Sequence, residues 1–251
     1  MGYALTGGAG WNSGYRYIAV LQIGLTAVLF FSLPLWRGQA KIARKTGAAD
    51  TKAAPIPLRH VVMIPGAKEI MLTFFCYCAV EQTANLWASS YLVLHQGVSA
   101  KTAAGFASLF FVGITAGRFL SGFLTLLLND MQMIRLGQGL IAVGIITLLL
   151  PFGTITSLAG LLLIGLGCAP VYPSIIHATP ANFGEDKSQA MIGVQMASAY
   201  AGTCLMPPVF GLVANHLGIS LLPFYLMLIL IVMVFMHERM FLKTQRLNKV
   251  T

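Results

Sequence analysis

The sequence predicts an all-α integral membrane protein with seven transmembrane helices. Of its 251 residues, 57% are hydrophobic and only 9% are charged, whereas a soluble domain carries about 25% charged residues. The apolar residues form continuous runs and do not alternate with a period of two, which favours helices over a β-barrel. Seven runs are long enough to cross a bilayer as helices: Tyr17–Leu35, Ile70–Leu94, Thr102–Leu128, Met133–Leu150, Ile155–Ile176, Ser188–Val213 and Leu221–Met240.

The basic residues predict how these spans are oriented. The formal net charge is +9, and eleven of the sixteen Lys and Arg lie in two segments, Arg37–Lys68 and Arg239–Lys249. Three other connections, His95–Lys101, Pro151–Thr154 and Asn215–Ser220, contain a single Lys. Because basic residues in short loops mark the cytoplasmic side, we expect a multi-pass protein of the cell membrane with its N-terminus outside and its C-terminus in the cytoplasm. The charge indicates topology and contact with anionic lipid rather than nucleic-acid binding.

The span Ile70–Leu94 carries one acid, Glu81, near its centre. As a helix this span is roughly 36 Å long. A carboxyl group at that depth normally faces a bundle interior, a water-filled cavity or a partner charge. At 100° per residue, five side chains fall within an arc of about 100°, and we call them the polar stripe: Cys78, Glu81, Gln82, Asn85 and Ser89.

The polar stripe has two interpretations. It could be a cavity wall, in which the amides of Gln82 and Asn85 bind a polar solute and Glu81 binds a hydroxyl group or exchanges a proton. It could instead be an interhelical hydrogen-bond contact that only fixes packing.

Arg118 is the second intramembrane charge. Glu81 and Arg118 both lie roughly 15 Å from the predicted cytoplasmic ends of consecutive helices, so an ion pair between them is geometrically possible. The alternative is that Arg118 belongs to a structural Gly-Arg motif. On the same helix Gly113, Gly117 and Ser121 recur every four residues, and this small-residue spacing predicts close helix packing.

Two later spans contain residues that predict bends. Proline removes a backbone donor and clashes with the preceding turn, and in transporters such bends accompany gating. The candidate bend or gating residues are Gly165, Gly167, Pro170, Pro173, Pro207 and Pro208. Tyr172 is a candidate substrate or gate contact, or else an aromatic packing residue. Gln195 and Ser198 share a helix face and are candidates for cavity lining.

Several segments resemble the major facilitator superfamily. GRFLSGF (117–123) lies in the expected helix and is followed by a short cytoplasmic turn, NDMQMIR. GLGCAPVYPSIIHATPANFGED (165–186) and GVQMASAYAGTCLMPPVFGLVANHLG (193–218) are similar to the fucose/glucose permease-like branch of sugar–proton symporters. The resemblance implies two six-helix bundles that rock around a midplane site, with energy from a proton gradient rather than a cofactor.

The resemblance also implies a domain organisation. Residues 1–36 would be the last helix (helix 6) of an N-terminal bundle, 37–69 a basic cytoplasmic central loop, 70–240 a C-terminal six-helix bundle and 241–251 a basic tail. Members of the family have twelve spans, so we expect a fragment, a truncated copy or a mis-called gene start, with the N-terminal half as the missing partner. In this branch the proton-coupling carboxylates belong chiefly to the first half, which makes substrate contact the expected role of Glu81.

The expected function is secondary active transport of a small polar solute, such as a sugar, coupled to protons. A drug or metabolite exporter of the same fold is the alternative. A retinal protein needs a lysine in its last helix, and Leu221–Met240 has none; a thirty-residue basic loop after the first helix is unusual for a seven-helix receptor. The spans contain no nucleophile–base set, so we do not expect an enzyme, and we expect no cofactor. His177 and His216 have no neighbours at metal-ligand spacing. Cys76, Cys78, Cys168 and Cys204 lie in apolar runs and are expected in the core.

Overall fold

A computed structural model describes residues 12–45 and 58–248 of the chain. These ranges are almost entirely helical and contain no strand. The chain divides into two compact units, Met1–Ala54 and Pro55–Thr251. Residues 46–57, which make up much of the predicted central loop, lie outside the described ranges, as do 249–251 of the predicted tail.

In the first unit the described residues form one helix, α1, Asn12–Lys45. It contains the predicted span Tyr17–Leu35 and continues nine residues past the predicted boundary at residue 36. The continuation is rich in Gln, Ala, Lys and Arg, which are good helix formers in water. The charges from Arg37 onward therefore do not end the helix, although the loop was predicted to begin there.

The second unit contains the six remaining predicted spans, each confirmed as a helix, and two short helices besides. Their bounds are α2, Leu58–Met63; α3, Ala67–Leu94; α4, Ala100–Leu124; α5, Asp130–Leu149; α6, Thr154–His177; α7, Thr179–Phe183; α8, Glu185–Leu217; and α9, Leu222–Asn248, which a 3₁₀ turn precedes at Ile219–Leu221.

Six of the described helices are long and apolar enough to cross a membrane: α1, α4, α5, α6, α8 and α9. The helix α3 is long enough, since its 28 residues extend about 42 Å. The polar stripe lowers its hydropathy, which is why composition alone does not place it with the other six. With α3 included, the helices agree with the seven predicted spans.

The second unit is a bundle organised around two inner helices. The helix α3 packs between α8 and α9, and α6 packs between α4 and α5. Further contacts of α3 with α4 and α6 join the two groups of three. Large side chains of α3, among them Phe74, Tyr77 and Tyr91, are completely buried, so α3 lies at the centre of the apolar core.

Glycines allow α6 to approach its neighbours at backbone distance. A Cβ atom on Gly165 would lie 2.1 Å from the Phe110 carbonyl oxygen of α4, and one on Gly113 would lie 2.3 Å from the Leu162 carbonyl oxygen of α6. No side chain fits at these positions. The predicted packing role of the small residues on α4 is therefore confirmed for Gly113 and, through its contact with Ala169, for Gly117.

The predicted bend residues lie in helices that are assigned without interruption. The helix α6 continues through Pro170 and Pro173, and α8 continues through Pro207 and Pro208. Gly167, like Gly165, is a close-packing residue, because a Cβ there would lie 2.7 Å from the Gly137 carbonyl oxygen of α5. A bending or gating role for these positions stays a prediction.

Candidate functional site

The polar stripe forms a half-buried face on α3, a helix that also has exposed apolar residues such as Leu86. Glu81, Gln82, Asn85 and Ser89 are half-buried, whereas their neighbours Thr83, Ala84 and Ala88 are fully buried and Cys78 is nearly so. Trp87 points away from the stripe and donates its Nε1–H to the Pro207 carbonyl oxygen of α8 at 3.1 Å. The predicted separation of Trp87 from the stripe is thus reproduced, and Glu81, Gln82, Asn85 and Ser89 share one half-buried face.

Three helices converge around Glu81. The hydroxyl of Tyr77, one helical turn before Glu81, donates to the Cys168 carbonyl oxygen of α6 at 3.1 Å and also lies next to the Glu81 carboxylate. The Cys78 thiol lies beside Thr203 of α8. Neither Tyr77 nor Thr203 was predicted from the sequence. The signal for Tyr77 was its spacing of four residues from Glu81, which places the two side chains on one helix face.

Tyr172 joins the same region from α6. Its ring packs against Phe74 with centroids 5.0 Å apart and against Tyr77 at 6.3 Å. The side chain remains 37% exposed, and its hydroxyl donates to the Met196 sulfur of α8 at 3.1 Å. It lies within electrostatic range of Glu81. The structure therefore brings Tyr172 and the polar stripe together.

Arg118 does not pair with Glu81. Both residues are described, and no ion pair joins them. The Arg118 side chain is exposed and lines a cavity of about 950 Å³ between α4, α5 and α6, with Tyr172 on the opposite wall. The predicted Glu81–Arg118 pair is therefore not supported, because Arg118 reaches this cavity rather than the carboxylate.

The far end of this cavity is polar. Asn129 and Gln132 cap the start of α5 reciprocally, each side chain bonding the other's backbone N–H. This fixes Asp130 at the first position of α5, where its carboxylate bonds His177 Nδ1 at the end of α6, 2.8 Å away. Asp130 and His177 both line the cavity, and neither was predicted.

Two further ion pairs join helix ends on the predicted cytoplasmic side. Arg135 of α5 donates from Nε and Nη2 to both carboxylate oxygens of Glu238 on α9, at 2.7 and 2.6 Å. Glu69, in the first turn of α3, bonds Lys243 of α9 and lies 3.9 Å from Arg239. Sequence spacing gave no signal for either pair, because the partners are more than a hundred residues apart.

The Glu69 carboxyl has a perturbed acidity. Burial raises its pKa, but the hydrogen bond from Lys243, a backbone hydrogen bond and the positive charges of Lys243 and Arg239 outweigh burial. The pKa of Glu69 is therefore held below its ordinary value of 4.5.

Gln195 and Ser198 lie within the helix packing of α8. Gln195 is fully buried, and its Oε1 accepts a hydrogen bond from the Thr179 hydroxyl at 3.2 Å. Ser198 donates to the Met71 carbonyl oxygen of α3 at 2.8 Å. These contacts are structural, and cavity lining by the two residues stays a prediction.

The cysteines are free, and Cys76, Cys78 and Cys168 are buried as expected. Cys204 is exposed, so its expected place in the core is wrong for this bundle. Among the described side chains, residues 15–34 and 59–245, no group of three or more His, Cys, Asp or Glu could hold a metal ion.

The long apolar helices indicate a multi-pass membrane protein. The chain belongs to the major facilitator superfamily, whose family model matches residues 1–194. That match extends over most of the chain, and membership of a transporter family indicates a protein that is not an enzyme.

Solved structures show the same fold at low identity. The chain is similar to the E. coli fucose:proton symporter FucP, with 20% identity and a TM-score of 0.58, covering 76% of this chain and 46% of that one. It is also similar to a POT family transporter in complex with a thioalcohol conjugated peptide, with 18% identity and a TM-score of 0.59, covering 70% of this chain and 37% of that one. The chain thus spans less than half of each. No curated protein matches.

Proposed function

We propose that this chain provides the second-bundle half of a secondary active transporter that moves a small polar solute, a sugar, by alternating access coupled to protons. The observation that carries the proposal is the polar stripe: four polar side chains remain half-buried on a helix that packs in the core of the bundle. Polar groups at that depth are expensive unless they serve a cavity.

The chemistry of the stripe suits a hydroxyl-rich solute. Gln82 and Asn85 offer amide donors and acceptors, Ser89 offers a hydroxyl, and Glu81 offers a carboxylate. Tyr172 and Phe74 add an aromatic surface beside them, and sugars bind well where an apolar ring face meets a few directed hydrogen bonds.

Two structural neighbours give limited support for the solute class. FucP is described as a fucose:proton symporter, and the POT family transporter binds a thioalcohol conjugated peptide. Both solutes are small and polar. An exporter of drugs or other metabolites, built on the same fold, is the second candidate function.

We assign Glu81 to substrate contact rather than to proton carriage. Its carboxylate faces the Tyr77 hydroxyl and has no ion-pair partner among residues 59–245. A half-open carboxylate with a neighbouring donor can accept hydrogen bonds from a solute hydroxyl. In the proposed transporter, a first six-helix bundle opposite the stripe completes the site.

Reconstitution into proteoliposomes tests the proposal. The chain is prepared alone and as the longer protein that would result if five further apolar spans are encoded in frame upstream. Uptake of labelled L-fucose and D-glucose is measured with and without an inward proton gradient. We expect gradient-driven sugar uptake by the two-bundle protein and none by the chain alone.

Glu81→Gln, which keeps the side-chain volume, is expected to lower uptake by about tenfold or more, because hydrogen bonds to a charged group contribute about 1.5–3 kcal/mol. The matched control is Glu185→Gln, at an exposed acid in the first turn of α8. Equal uptake in both variants would remove Glu81 from the site. Proton-coupled uptake by the chain alone would contradict the need for a first bundle.

A further inference from the structure

A groove runs between α5 and α9, away from the polar stripe. Its volume is about 610 Å³. The α5 wall consists of Arg135, Gln138, Gly139 and Ala142, whose spacing of three and four places them on one helix face. The α9 wall extends from Met227 to Glu238 and is apolar except at Glu238.

The length of the groove fits one leaflet of a bilayer. From residue 227 to 238 the α9 helix advances about 16 Å, which is about half of the ~30 Å hydrocarbon thickness. The polar residues Arg135 and Glu238 both lie at the same end, which is the predicted cytoplasmic end. An apolar slot of that length with charges at one mouth has the dimensions of a lipid acyl chain under its headgroup.

The charged mouth retains binding capacity. Arg135 uses its Nε and one Nη2 hydrogen for Glu238, and a guanidinium has five N–H donors. The pair is accessible, with side chains 50% and 36% exposed, and the guanidinium is held over the Phe241 ring at 5.7 Å. A phosphate can therefore bind the free N–H groups while an ammonium binds Glu238.

Gln138 supplies an independent observation. It lines the groove, is only 4% exposed, and its Nε2 has no hydrogen-bond partner in the described part of the chain. An unpartnered amide is costly inside a membrane, where water cannot satisfy it. Gln138 lies three residues after Arg135, about 4.5 Å deeper along α5, where a phospholipid presents its ester carbonyls just below its phosphate.

The geometry points to a phospholipid-binding site between α5 and α9, occupied by an aminophospholipid of the cytoplasmic leaflet. The phosphate binds Arg135, the headgroup ammonium binds Glu238, an ester carbonyl accepts from Gln138 Nε2, and one acyl chain fills the groove. The lipid satisfies the buried amide and covers the apolar walls. This site does not depend on the proposed substrate.

Native mass spectrometry of the delipidated full chain tests the site, with dioleoyl phosphatidylethanolamine as the added lipid. We expect one phospholipid to be retained by the wild type. Ala142→Trp fills the groove and should remove that lipid, whereas Val143→Trp, at a neighbouring exposed residue outside the groove, should retain it. Gln138→Leu should weaken binding by about threefold to tenfold, the effect of one hydrogen bond.

Two further measurements test the headgroup and the position of the acyl chain. Phosphatidylglycerol lacks the ammonium and should bind more weakly, and a phosphatidylethanolamine with a photoreactive acyl chain should crosslink to Ala142 and to the Leu230–Phe235 segment. The proposal would be overturned if the wild type and Ala142→Trp retained the lipid equally, or if crosslinks formed equally at the exposed Phe119 of α4. It would also be overturned if the chain formed a dimer that only Ala142→Trp abolished. The last outcome would assign the groove to a second copy of the chain.

Discussion

At the scale of single residues, some polar groups can contact a solute, whereas others already form hydrogen bonds within the helix packing. Gln195 and Ser198 are engaged in the packing of α8, whereas the stripe residues and Tyr172 keep accessible surface. The hydroxyl of Tyr172 has only a thioether as its partner, and thioether sulfur is a weak acceptor. A solute hydroxyl can displace that contact at little cost.

The variant Tyr172→Phe therefore tests whether the Tyr172 hydroxyl binds the solute or only the ring contributes to packing. Unfolding in detergent should change by less than about 1 kcal/mol, because the ring contacts with Phe74 and Tyr77 remain. In the two-bundle protein the KM for sugar uptake should rise by about threefold to tenfold. The matched control is Tyr225→Phe, whose hydroxyl donates to the Met206 carbonyl oxygen at 2.9 Å. The Tyr225→Phe protein should be less stable and have an unchanged KM. If Tyr172→Phe instead lost stability and kept its KM, Tyr172 would have a structural role.

At the scale of helices, the bundle depends on glycine contacts that side chains would obstruct. Without a hydrophobic force between helices in lipid, association depends on close packing. Around α6 this packing brings backbones together on two sides, at Gly165 against α4 and at Gly167 against α5.

Gly165→Ala should destabilise the bundle by about 1–3 kcal/mol, since the added methyl group meets a carbonyl oxygen that cannot move aside. Gly193→Ala on α8 is the control. Nothing lies within 4 Å of a Cβ there, so helix propensity should leave stability unchanged or raise it by up to about 1 kcal/mol. Thermal unfolding in detergent measures both. A Gly165→Ala protein as stable as the wild type would show that α4 and α6 can separate freely.

The ion pair at the start of α3 makes stability depend on pH. Because the folded-state pKa of Glu69 is lowered, its contribution is fully present above the ordinary value of 4.5 and is lost as pH falls through the folded value. Glu69→Gln should cost about 1 kcal/mol at pH 7, since Lys243 and Arg239 are partly exposed.

Unfolding curves at pH 7 and pH 3 check this expectation. The difference between wild type and Glu69→Gln should shrink at the lower pH, because below the ordinary value of 4.5 Glu69 takes up a proton more readily in the unfolded state than in the folded state. The control is Glu185→Gln, at an exposed acid of α8 outside this ion pair, and it tests whether loss of a surface charge alone produces the convergence. A difference that stays constant from pH 7 to pH 3 would contradict the assigned ion pair.

The sequence was sufficient for the helices and the stripe, because both follow from local periodicity. Hydropathy located the spans, and the 100° rotation per residue placed Glu81, Gln82, Asn85 and Ser89 on one face. What it could not provide was contacts between distant segments. Arg118 and Glu81 have suitable depths, yet depth along two helices does not fix their rotation, and Arg118 faces another cavity. The pairs Glu69–Lys243 and Arg135–Glu238 were missed for the same reason.

At the scale of the whole molecule, the basic residues predict how the bundle is oriented in the membrane. The turn between α4 and α5 and the C-terminal end of α9 lie together with Arg135, Arg239 and Lys243. The connection between α3 and α4 has no Lys or Arg, and Lys101 lies in the first turn of α4. The positive-inside rule therefore predicts that Asp186, in the first turn of α8, is inside and that Gln96 is outside.

Single cysteines in a Cys204→Ser background test this prediction with a membrane-impermeant maleimide. Gln96→Cys should be labelled in intact cells, and Asp186→Cys should be labelled only after permeabilisation. Cys204→Ser alone is the control, since the other cysteines are buried. Labelling of Asp186→Cys in intact cells would show that the bundle has the opposite orientation in the membrane. In that orientation the Glu69–Lys243 pair and the headgroup end of the α5–α9 groove would lie at the outer surface. The bound lipid would then come from the outer leaflet.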